Sequence, residues 1–241
     1  MKFSIQFYTL RGHVKSPEDI LALFPKIKEL GFDGVEFGKQ DMKPDAAAVR
    51  RALDEAGLVA TGMHMNLEDL RPGKLQKTLA LCKTLGLTKV GIGGADHRTP
   101  RKTKKSCAVL KAASDEAARQ GITVYYHNHE SEFKPYKKGG LPVDSFLDVC
   151  MLQVDTYWSH VAGVDNYAFL TAHGDRICAV HIKDGVGKDT RALGEGDCDL
   201  AAVVRGAKDI GLEWLVLEND TPRPDGLRDA ERSMAWLKAN V

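Results

Sequence analysis

Short apolar runs alternate regularly with longer amphipathic stretches along all 241 residues, and this alternation limits the folds open to the chain. Each apolar run is followed by a stretch of helical periodicity, which predicts strand–helix pairs in strict order. This order fits either an open doubly wound parallel sheet or a closed (β/α)₈ barrel. The predicted strands are Phe3–Tyr8, Gly34–Phe37, Leu58–His64, Lys89–Ile92, Ile122–His127, Leu152–Asp155, Ile177–Ile182 and Trp214–Leu217.

The predicted helices follow these strands, and their ends carry the usual signals. Ser16, Pro17 and the acidic pair after them provide a cap, a first-turn proline and favourable charges at one helix start. Glycine follows several of the predicted helices, a position where it commonly forms a left-handed C-terminal cap. The predicted helices are Pro17–Leu30, Pro44–Ala56, Lys74–Leu85, Lys102–Gln120, Pro142–Cys150, Tyr167–Ala172, Leu200–Ile210 and Ala230–Lys238.

Length and composition predict a single domain over residues 1–241, near the usual size of one eight-fold barrel. The formal net charge of +1 gives no bulk electrostatic reason to bind nucleic acid or a membrane surface. Five cysteines without a Cys-x-x-Cys pair fit a reducing compartment, and neither a secretory signal nor a membrane-spanning run is recognised. We therefore expect a cytoplasmic protein that acts on a small molecule, with homo-oligomerisation left open.

Titratable or metal-binding side chains lie at the carboxyl ends of six predicted strands. A single such residue usually caps a helix or is a satisfied structural group, but six at equivalent places indicate a shared site. Only a closed barrel brings these strand ends together at one mouth, so the sequence favours a (β/α)₈ TIM barrel over an open sheet. The six residues are Glu36, His64, His127, Asp155, His181 and Glu218.

The last four of these residues form the best candidate metal site, with two imidazoles and two carboxylates from successive strands. A mixed nitrogen and oxygen donor set without cysteine suits one divalent ion. Mn²⁺ is expected, with Zn²⁺, Co²⁺, Fe²⁺ or Mg²⁺ as alternatives. Four protein ligands leave two octahedral positions for adjacent substrate oxygens, so that the ion polarises a carbonyl and stabilises an enediolate. The predicted ligands are His127, Asp155, His181 and Glu218.

Short motifs along the whole chain carry a resemblance to a known family. Each is weak alone, but together they resemble the xylose isomerase-like TIM-barrel superfamily, whose members are often described as sugar phosphate isomerases/epimerases. The motifs are Tyr8-Thr9-Leu10-Arg11, Gly31-Phe32-Asp33-Gly34-Val35-Glu36, Tyr126-His127-Asn128-His129 with Glu132-Phe133, Val154-Asp155-Thr156-Tyr157-Trp158, His181-Ile182-Lys183-Asp184-Gly185, Gly194-Glu195-Gly196 and Leu217-Glu218-Asn219-Asp220.

The resemblance implies three metal ligands directly, because Asp155, His181 and Glu218 match the family's ligands on strands six, seven and eight. The fifth-strand ligand is usually glutamate in the ketose 3-epimerase branch, whereas His127 stands at that position here. Only Glu218 then remains of that branch's pair of catalytic glutamates. Branches with the His-Asn-His pattern include isomerases, dehydratases and lyases acting on keto-sugars or keto-inositols. The related apurinic endonucleases need a further histidine where this chain has Trp158.

Four further residues are candidates for acid–base work or for holding substrate hydroxyls at the mouth. Glu36 and His64 are expected to hydrogen-bond substrate hydroxyls, although a glutamate at a strand end also commonly caps a helix. His129 lies on the same face as His127 and is a candidate general acid or base. Lys183, two residues after the seventh-strand histidine, could supply a proton or stabilise an oxyanion, or could be an ordinary loop lysine.

Three more residues are candidates for substrate binding near the mouth. Tyr8 and Trp158 offer aromatic faces on which a sugar ring could stack, although each could equally be rim packing. Arg11, in the first loop, could grip a phosphate or a carboxylate. Because no phosphate-cradling glycine loop is evident, the sequence leaves open whether the substrate is phosphorylated.

The sequence predicts a metal-dependent isomerase or epimerase acting on a keto-sugar or related polyol. In this hypothesis Glu218 removes the α-proton, and His129 or Lys183 returns a proton or serves the substrate oxygen. The alternative is a lyase or dehydratase that removes the same proton and then expels a β-leaving group. A third hypothesis, a non-catalytic sugar-binding barrel, accounts less well for four ligand residues.

Overall fold

The strands of the barrel pair in parallel with their neighbours in chain order, and the first pairs with the last. The computed structural model describes residues 1–241, and its Lys2–Ile5 segment pairs in register with Trp214–Leu217 to close the barrel. The predicted (β/α)₈ barrel is confirmed. The barrel strands are β1 (Lys2–Gln6), β2 (Gly34–Gly38), β3 (Val59–Met65), β4 (Lys89–Ile92), β5 (Thr123–His127), β6 (Met151–Asp155), β7 (Ile177–Ile182) and β10 (Trp214–Leu217).

Helices cover the outside of the barrel and return the chain from each strand to the next. The first of them begins with a capping box, in which Ser16 and Asp19 exchange side-chain-to-backbone contacts. No helix is both long and apolar enough to cross a membrane. The helices are α1 (Pro17–Leu30), α2 (Ala46–Ala56), α3 (Pro72–Leu85), α4 (Pro100–Ala118), α5 (Pro142–Leu147), α6 (Thr156–Val161), α7 (Asn166–Ala172), α8 (Leu200–Asp209) and α9 (Gly226–Asn240).

The strands divide their side chains between two environments, because successive residues point to opposite faces. Outward residues such as Val35 and Phe37 are fully buried in the large apolar layer under the helices. Inward residues are mostly polar in the upper half of the barrel, where Glu36 and Tyr125 fill the lumen. Gly62 makes room for them, because a Cβ there would come 2.9 Å from Glu36 Oε2 and 3.0 Å from Tyr125 Oη.

Two elements at the carboxyl ends of the strands were not predicted. Helix α6 starts directly after β6, and Asp155 Oδ1 caps it by accepting hydrogen bonds from Tyr157 N at 3.1 Å and Trp158 N at 3.0 Å. With six residues, α6 is too short to show helical periodicity in the sequence. A small antiparallel hairpin, β8 (Asp184–Val186) with β9 (Asp189–Arg191), follows β7.

The remaining differences are shifts of element ends. Strand β1 stops at Gln6 because Phe7–His13 turns into a 3₁₀ helix, whereas the sequence predicted a strand as far as Tyr8. Helix α9 begins at Gly226, four residues before the predicted start, because Asp225 caps its first turn. The five cysteines form no disulfide.

Candidate metal centre

Four buried side chains from four successive barrel strands meet at the mouth, the carboxyl end of the barrel. One ligand-capable atom from each lies within 4.8 Å of the corresponding atoms of the other three. Parallel pairing produces this meeting, because it aligns the carboxyl ends of β5, β6, β7 and β10. The cluster, called the four-residue cluster here, consists of His127, Asp155, His181 and Glu218.

The donor atoms of the four-residue cluster fit a divalent cation. Asp155 is fully buried, and its Oδ2 contacts the Lys183 ammonium at 2.7 Å. The same oxygen lies 3.6 Å from His127 Nε2, within the cluster. A buried carboxylate costs free energy unless a cation offsets its charge, and here the Lys183 ammonium lies beside the oxygens that a metal ion would bind. Two imidazoles and two carboxylates are also a donor set that such ions accept.

His127 is held in the form that binds a metal. Burial lowers the pKa of His127 well below its usual value, and the nearby rings of His181 and His64 lower it further, so the imidazole is neutral. Its Nδ1 lies 3.1 Å from Gln153 Oε1, which leaves Nε2 facing the cluster. A neutral imidazole with one nitrogen hydrogen-bonded and the other free is the ordinary state of a histidine ligand.

His181 lies between two carboxylates. Its Nε2 is 2.7 Å from Glu36 Oε1, and its Nδ1 is 2.8 Å from Glu218 Oε2. Burial alone would lower the pKa of His181, but the charges of Glu36 and Glu218 raise it to about 10. Because Glu36 holds the proton on Nε2, Nδ1 is the nitrogen that can give up its proton to bind a cation.

A layer of hydrogen bonds beneath the cluster joins two glutamines that the sequence analysis missed. Gln153 Nε2 donates to Glu36 Oε2 at 2.6 Å, and Gln6 Nε2 donates to Glu36 Oε1 at 2.7 Å. Gln153 Oε1 also lies 2.7 Å from His64 Nε2. The available signal was position: Gln153 lies two residues before Asp155 and therefore on the same inward face of β6.

Glu36 occupies a different place from the one expected. It is 1% exposed, and both of its carboxylate oxygens already have protein partners. Burial would raise the pKa of Glu36, but His181 and His64 lower it to about 2. The residue therefore lies beneath the mouth, where it contacts His181 and does not line the cavity in which substrate hydroxyls were expected to meet it. His64 is half-buried and does line the mouth.

Lys183 is buried at the heart of the site, with 1% of its surface exposed. Its ammonium lies 2.7 Å from Asp155 Oδ2, 2.6 Å from Glu218 Oε2 and 3.2 Å from Asp220 Oδ1. Burial opposes the charge, but these carboxylates raise the pKa of Lys183 above its usual value. Burial would likewise raise the pKa of Glu218, yet Lys183 and His181 hold it well below its usual value.

Above the cluster the mouth opens into a cavity of about 600 Å³. Three residues named from the sequence line it near the rim: Tyr8, His129 and Trp158. Trp158 donates from Nε1 to Asp220 Oδ2 at 3.2 Å, and the exposed His129 ring lies 4.9 Å from the His127 ring, centroid to centroid. Asp220, which the sequence analysis did not single out as a site residue, thus contacts both the rim and the buried lysine.

Arg11 does not line this cavity. Its guanidinium lies over the Tyr8 ring and donates to Tyr8 O at 2.6 Å and to Asp220 O at 2.5 Å. These contacts turn the side chain towards a separate surface cavity that it shares with His13 and Arg223. Arg11 is therefore not placed to bind a substrate phosphate or carboxylate in the mouth cavity, although the sequence had predicted this contact.

The protein is thus a (β/α)₈ barrel with a candidate divalent-metal centre at the carboxyl ends of its strands. Comparison with protein families then gives a particular assignment. The model of the xylose isomerase-like TIM barrel matches residues 24–240. The chain therefore belongs to this family.

Solved structures of similar fold include isomerases and a dehydratase. A sugar phosphate isomerase/epimerase from Parabacteroides distasonis ATCC 8503 has a TM-score of 0.84 and 19% identity, covering 99% of this chain and 96% of that one. A D-allulose 3-epimerase from Methylomonas sp., in complex with D-allulose, has a TM-score of 0.77 and 18% identity over 100% and 97%. A probable 3-DHS dehydratase from Bacillus anthracis has a TM-score of 0.78 and 14% identity over 99% of each chain. No curated protein sequence matches this chain.

Proposed function

We propose that the protein is a divalent-metal-dependent isomerase or epimerase that acts on a keto-sugar or related polyol by removing a proton next to the carbonyl. The observation that carries this proposal is the four-residue cluster, whose donor atoms lie within 4.8 Å of one another at the floor of the mouth cavity. Membership of the xylose isomerase-like family and the similar fold of known epimerases support it. Mn²⁺ is the expected ion.

A divalent ion held by the four-residue cluster would polarise the substrate carbonyl and so acidify the neighbouring C–H. Glu218 is the proposed base, because it is the carboxylate of the cluster that lines the cavity. Its low pKa keeps it ionised, the form in which a base acts, but also makes it a weak base while Lys183 stays beside it. Glu218 Oε2 is already in contact with Lys183, at 2.6 Å. Accepting the substrate proton therefore requires this ion pair to loosen.

Lys183 and His129 are the proposed partners of the base. The Lys183 ammonium lies next to Glu218 and lines the cavity, so it can turn the N–H that faces Asp220, 3.2 Å away, towards a substrate oxygen on which negative charge develops. His129 lies at the exposed rim, with no side-chain hydrogen bond to hold it in place, and its imidazole can carry a proton to or from the substrate. Tyr8 and Trp158 would flank the sugar ring.

A lyase or dehydratase is the second candidate. The observation in its favour is His127, which stands where the ketose 3-epimerases that the sequence resembles have glutamate. Elimination needs only one carboxylate base. Epimerisation by the two-glutamate mechanism needs a second carboxylate, because one must act on each face of the same carbon. The probable 3-DHS dehydratase has a similar fold, so this architecture also occurs in a protein described as a dehydratase.

The test is to incubate the Mn²⁺-loaded protein with candidate ketoses in D₂O and to follow the products by NMR and mass spectrometry. We expect solvent deuterium at the carbon next to the carbonyl of a rearranged sugar. Loss of water or of an aglycone after the same exchange would favour the lyase. Exchange that persists after Glu218→Gln would contradict the assignment of the base.

The control for this variant is Glu213→Gln, in an exposed residue just before the same strand. It should leave deuterium exchange unchanged. Binding of ketoses without any exchange, and regardless of whether metal is present, would contradict the proposed enzyme and support a sugar-binding barrel.

A further inference from the structure

A second group of metal-capable side chains lies outside the mouth cavity, and the proposed chemistry leaves it unused. Single donor atoms of His160, Asp197 and Cys198 lie within 4.8 Å of one another. None of these residues lines the mouth cavity, and none belongs to the four-residue cluster. They are called the thiol cluster here, because Cys198 supplies a sulfur donor that the four-residue cluster lacks.

The spacing within the thiol cluster suits a tetrahedral ion. Bonds of about 2.0–2.3 Å to a tetrahedral zinc ion place its donor atoms roughly 3.3–3.8 Å apart. His160 Nε2 lies 3.4 Å from Asp197 Oδ1, which is longer than an ordinary N–H···O hydrogen bond but within this range. The Cys198 sulfur lies within 4.8 Å of the other two donor atoms, so a small movement of its side chain would bring all three around one ion.

The backbone holds both halves of the thiol cluster against a common support, the β8–β9 hairpin. His160 lies in the last turn of α6, and Tyr157 Oη in the same helix donates to Gly187 O at 3.1 Å. Asp197 N, in the loop that follows the hairpin, donates to Gly185 O at 3.0 Å. The hairpin therefore fixes the two segments that supply the donors, which lowers the entropy cost of forming a site.

The same hairpin also positions Cys198. Its backbone N–H donates to Asp184 Oδ1 at 3.2 Å. Two residues earlier, the loop packs so closely on the hairpin that a Cβ on Gly196 would come 2.5 Å from Gly185 O. The place of the Cys198 backbone is thus determined before any ion binds, and only the side chain has to turn.

The donor atoms also select the kind of ion. Thiolate and imidazole ligands suit Zn²⁺, whereas Mn²⁺ and Mg²⁺ prefer oxygen ligands. Burial raises the pKa of the half-buried Cys198 thiol, and the carboxylates of Asp184 and Asp197 raise it further. A metal ligand must lose its proton, so only a cation that binds thiolate strongly can take the place of this one.

From these contacts we infer that His160, Asp197 and Cys198 bind one thiophilic divalent ion, Zn²⁺, at a second metal site. Three protein ligands leave the fourth tetrahedral position to water. The ion would connect α6 to the loop before α8, and α6 is the helix that Asp155 caps. The site shares no ligand with the four-residue cluster and does not depend on the proposed function.

The experiment is an oxygen-free titration of the reduced protein with Co²⁺, followed by absorption. Co²⁺ substitutes for Zn²⁺ in tetrahedral sites, and a coordinated thiolate gives a sulfur-to-Co²⁺ charge-transfer band in the near ultraviolet. Histidine and carboxylate ligands give no such band, so Co²⁺ at the four-residue cluster does not contribute to it. We expect the band to saturate at one thiolate-bound Co²⁺ per chain. Zn²⁺ should abolish the band and Mn²⁺ should not, because thiolate ligands favour Zn²⁺.

Variants then assign the ligands. Cys198→Ala should remove the band altogether. His160→Ala and Asp197→Ala should each weaken the Co²⁺ binding that the band reports by at least about tenfold. The matched control is Cys178→Ala, in another half-buried cysteine, which lies in β7 and outside the thiol cluster. This control should keep the band and the wild-type affinity.

Three results would overturn the inference. They are the absence of the band in the wild-type protein, its persistence in Cys198→Ala, and undiminished thiolate-bound Co²⁺ in either His160→Ala or Asp197→Ala. If Cys198→Ala fails to fold, the other two variants still decide the question, because they change partly or fully exposed side chains.

Discussion

At the scale of single residues, the candidate metal centre depends on groups that no substrate would touch. Glu36 accepts from Gln6 and Gln153 and holds His181 Nε2 at 2.7 Å. Gln153 in turn holds His127 Nδ1 at 3.1 Å. Each histidine ligand therefore has one nitrogen fixed from below and the other directed into the cluster. Such partners orient ligands and adjust their basicity.

The first prediction concerns Glu36. Glu36→Gln removes the charge that holds the proton on His181 Nε2 and places an amide N–H among groups that already donate. We expect divalent-ion affinity to fall by about 10- to 100-fold while the barrel still folds. Calorimetric titration with Mn²⁺ measures the effect. Glu55→Gln, in an exposed residue of α2, serves as the control, and equal affinity in both variants would refute the role.

The second prediction concerns Lys183, whose ammonium contacts Asp155 Oδ2 and Glu218 Oε2, two oxygens that a metal would need. Lys183→Met keeps similar bulk and removes the competing charge. We expect Mn²⁺ to bind about tenfold or more tightly, and the chelator-treated protein to lose about 3 kcal/mol of unfolding free energy. Weaker or unchanged Mn²⁺ binding would show that the lysine does not compete with the ion.

The sequence predicted the cluster more readily than the layer beneath it. His127, Asp155, His181 and Glu218 stand out because each is titratable and ends a strand. Glu36 shared that pattern, but a strand-end position does not show how deep in the lumen a side chain lies. Gln153 was missed because an amide carries no charge, and its importance comes only from contacts across three strands.

At the scale of elements, the barrel depends on glycines at inward positions where neighbouring side chains are large. A Cβ on Gly91 of β4 would overlap the Tyr125 ring and come 2.5 Å from the Tyr125 carbonyl oxygen. That oxygen belongs to the paired backbone of β5 and cannot move freely. The sequence predicted strand β4 with its observed bounds but gave no sign of this close approach.

The third prediction follows from this packing. Gly91→Ala should lower the unfolding free energy by about 1–3 kcal/mol, because the methyl group overpacks the lumen. Gly73→Ala in α3 is the matched control, since a Cβ there meets no atom within 4 Å. Gly73→Ala should leave the free energy of unfolding unchanged or raise it by about 1 kcal/mol. Denaturant unfolding of both variants compares them, and equal stability would contradict the packing argument.

The elements that the sequence did not predict follow the carboxyl ends of β6 and β7, next to the candidate metal centre. Helix α6 is positioned by its cap on Asp155 and by side-chain contacts, and it has too few residues for a periodic pattern. The hairpin β8–β9 depends on Asp184 gathering distant backbone N–H groups, a contact between parts of the chain that no local pattern reveals. Long amphipathic helices such as α1 were predicted with their observed bounds because periodicity and caps agree.

At the scale of the whole molecule, a bound ion would connect four strands from one side of the barrel. An ion that binds only the folded state stabilises it by about 2.7 kcal/mol at a free concentration one hundred times its dissociation constant. For a chain of this size we expect the unfolding temperature to rise by about 5–10 °C. Scanning calorimetry with and without Mn²⁺ measures this fourth prediction. An unchanged temperature in the presence of Mn²⁺ would contradict it.

Whether a metal centre exists is decided by the Mn²⁺ stoichiometry of the wild-type protein and of Asp155→Asn. Asparagine keeps an oxygen to cap α6 but replaces Oδ2, which faces the cluster and contacts Lys183 Nζ at 2.7 Å, with an amide nitrogen. We expect one ion per chain in the wild type and at least about tenfold weaker binding in the variant. Equal binding by both proteins, or no binding by either, would contradict a metal centre built from His127, Asp155, His181 and Glu218.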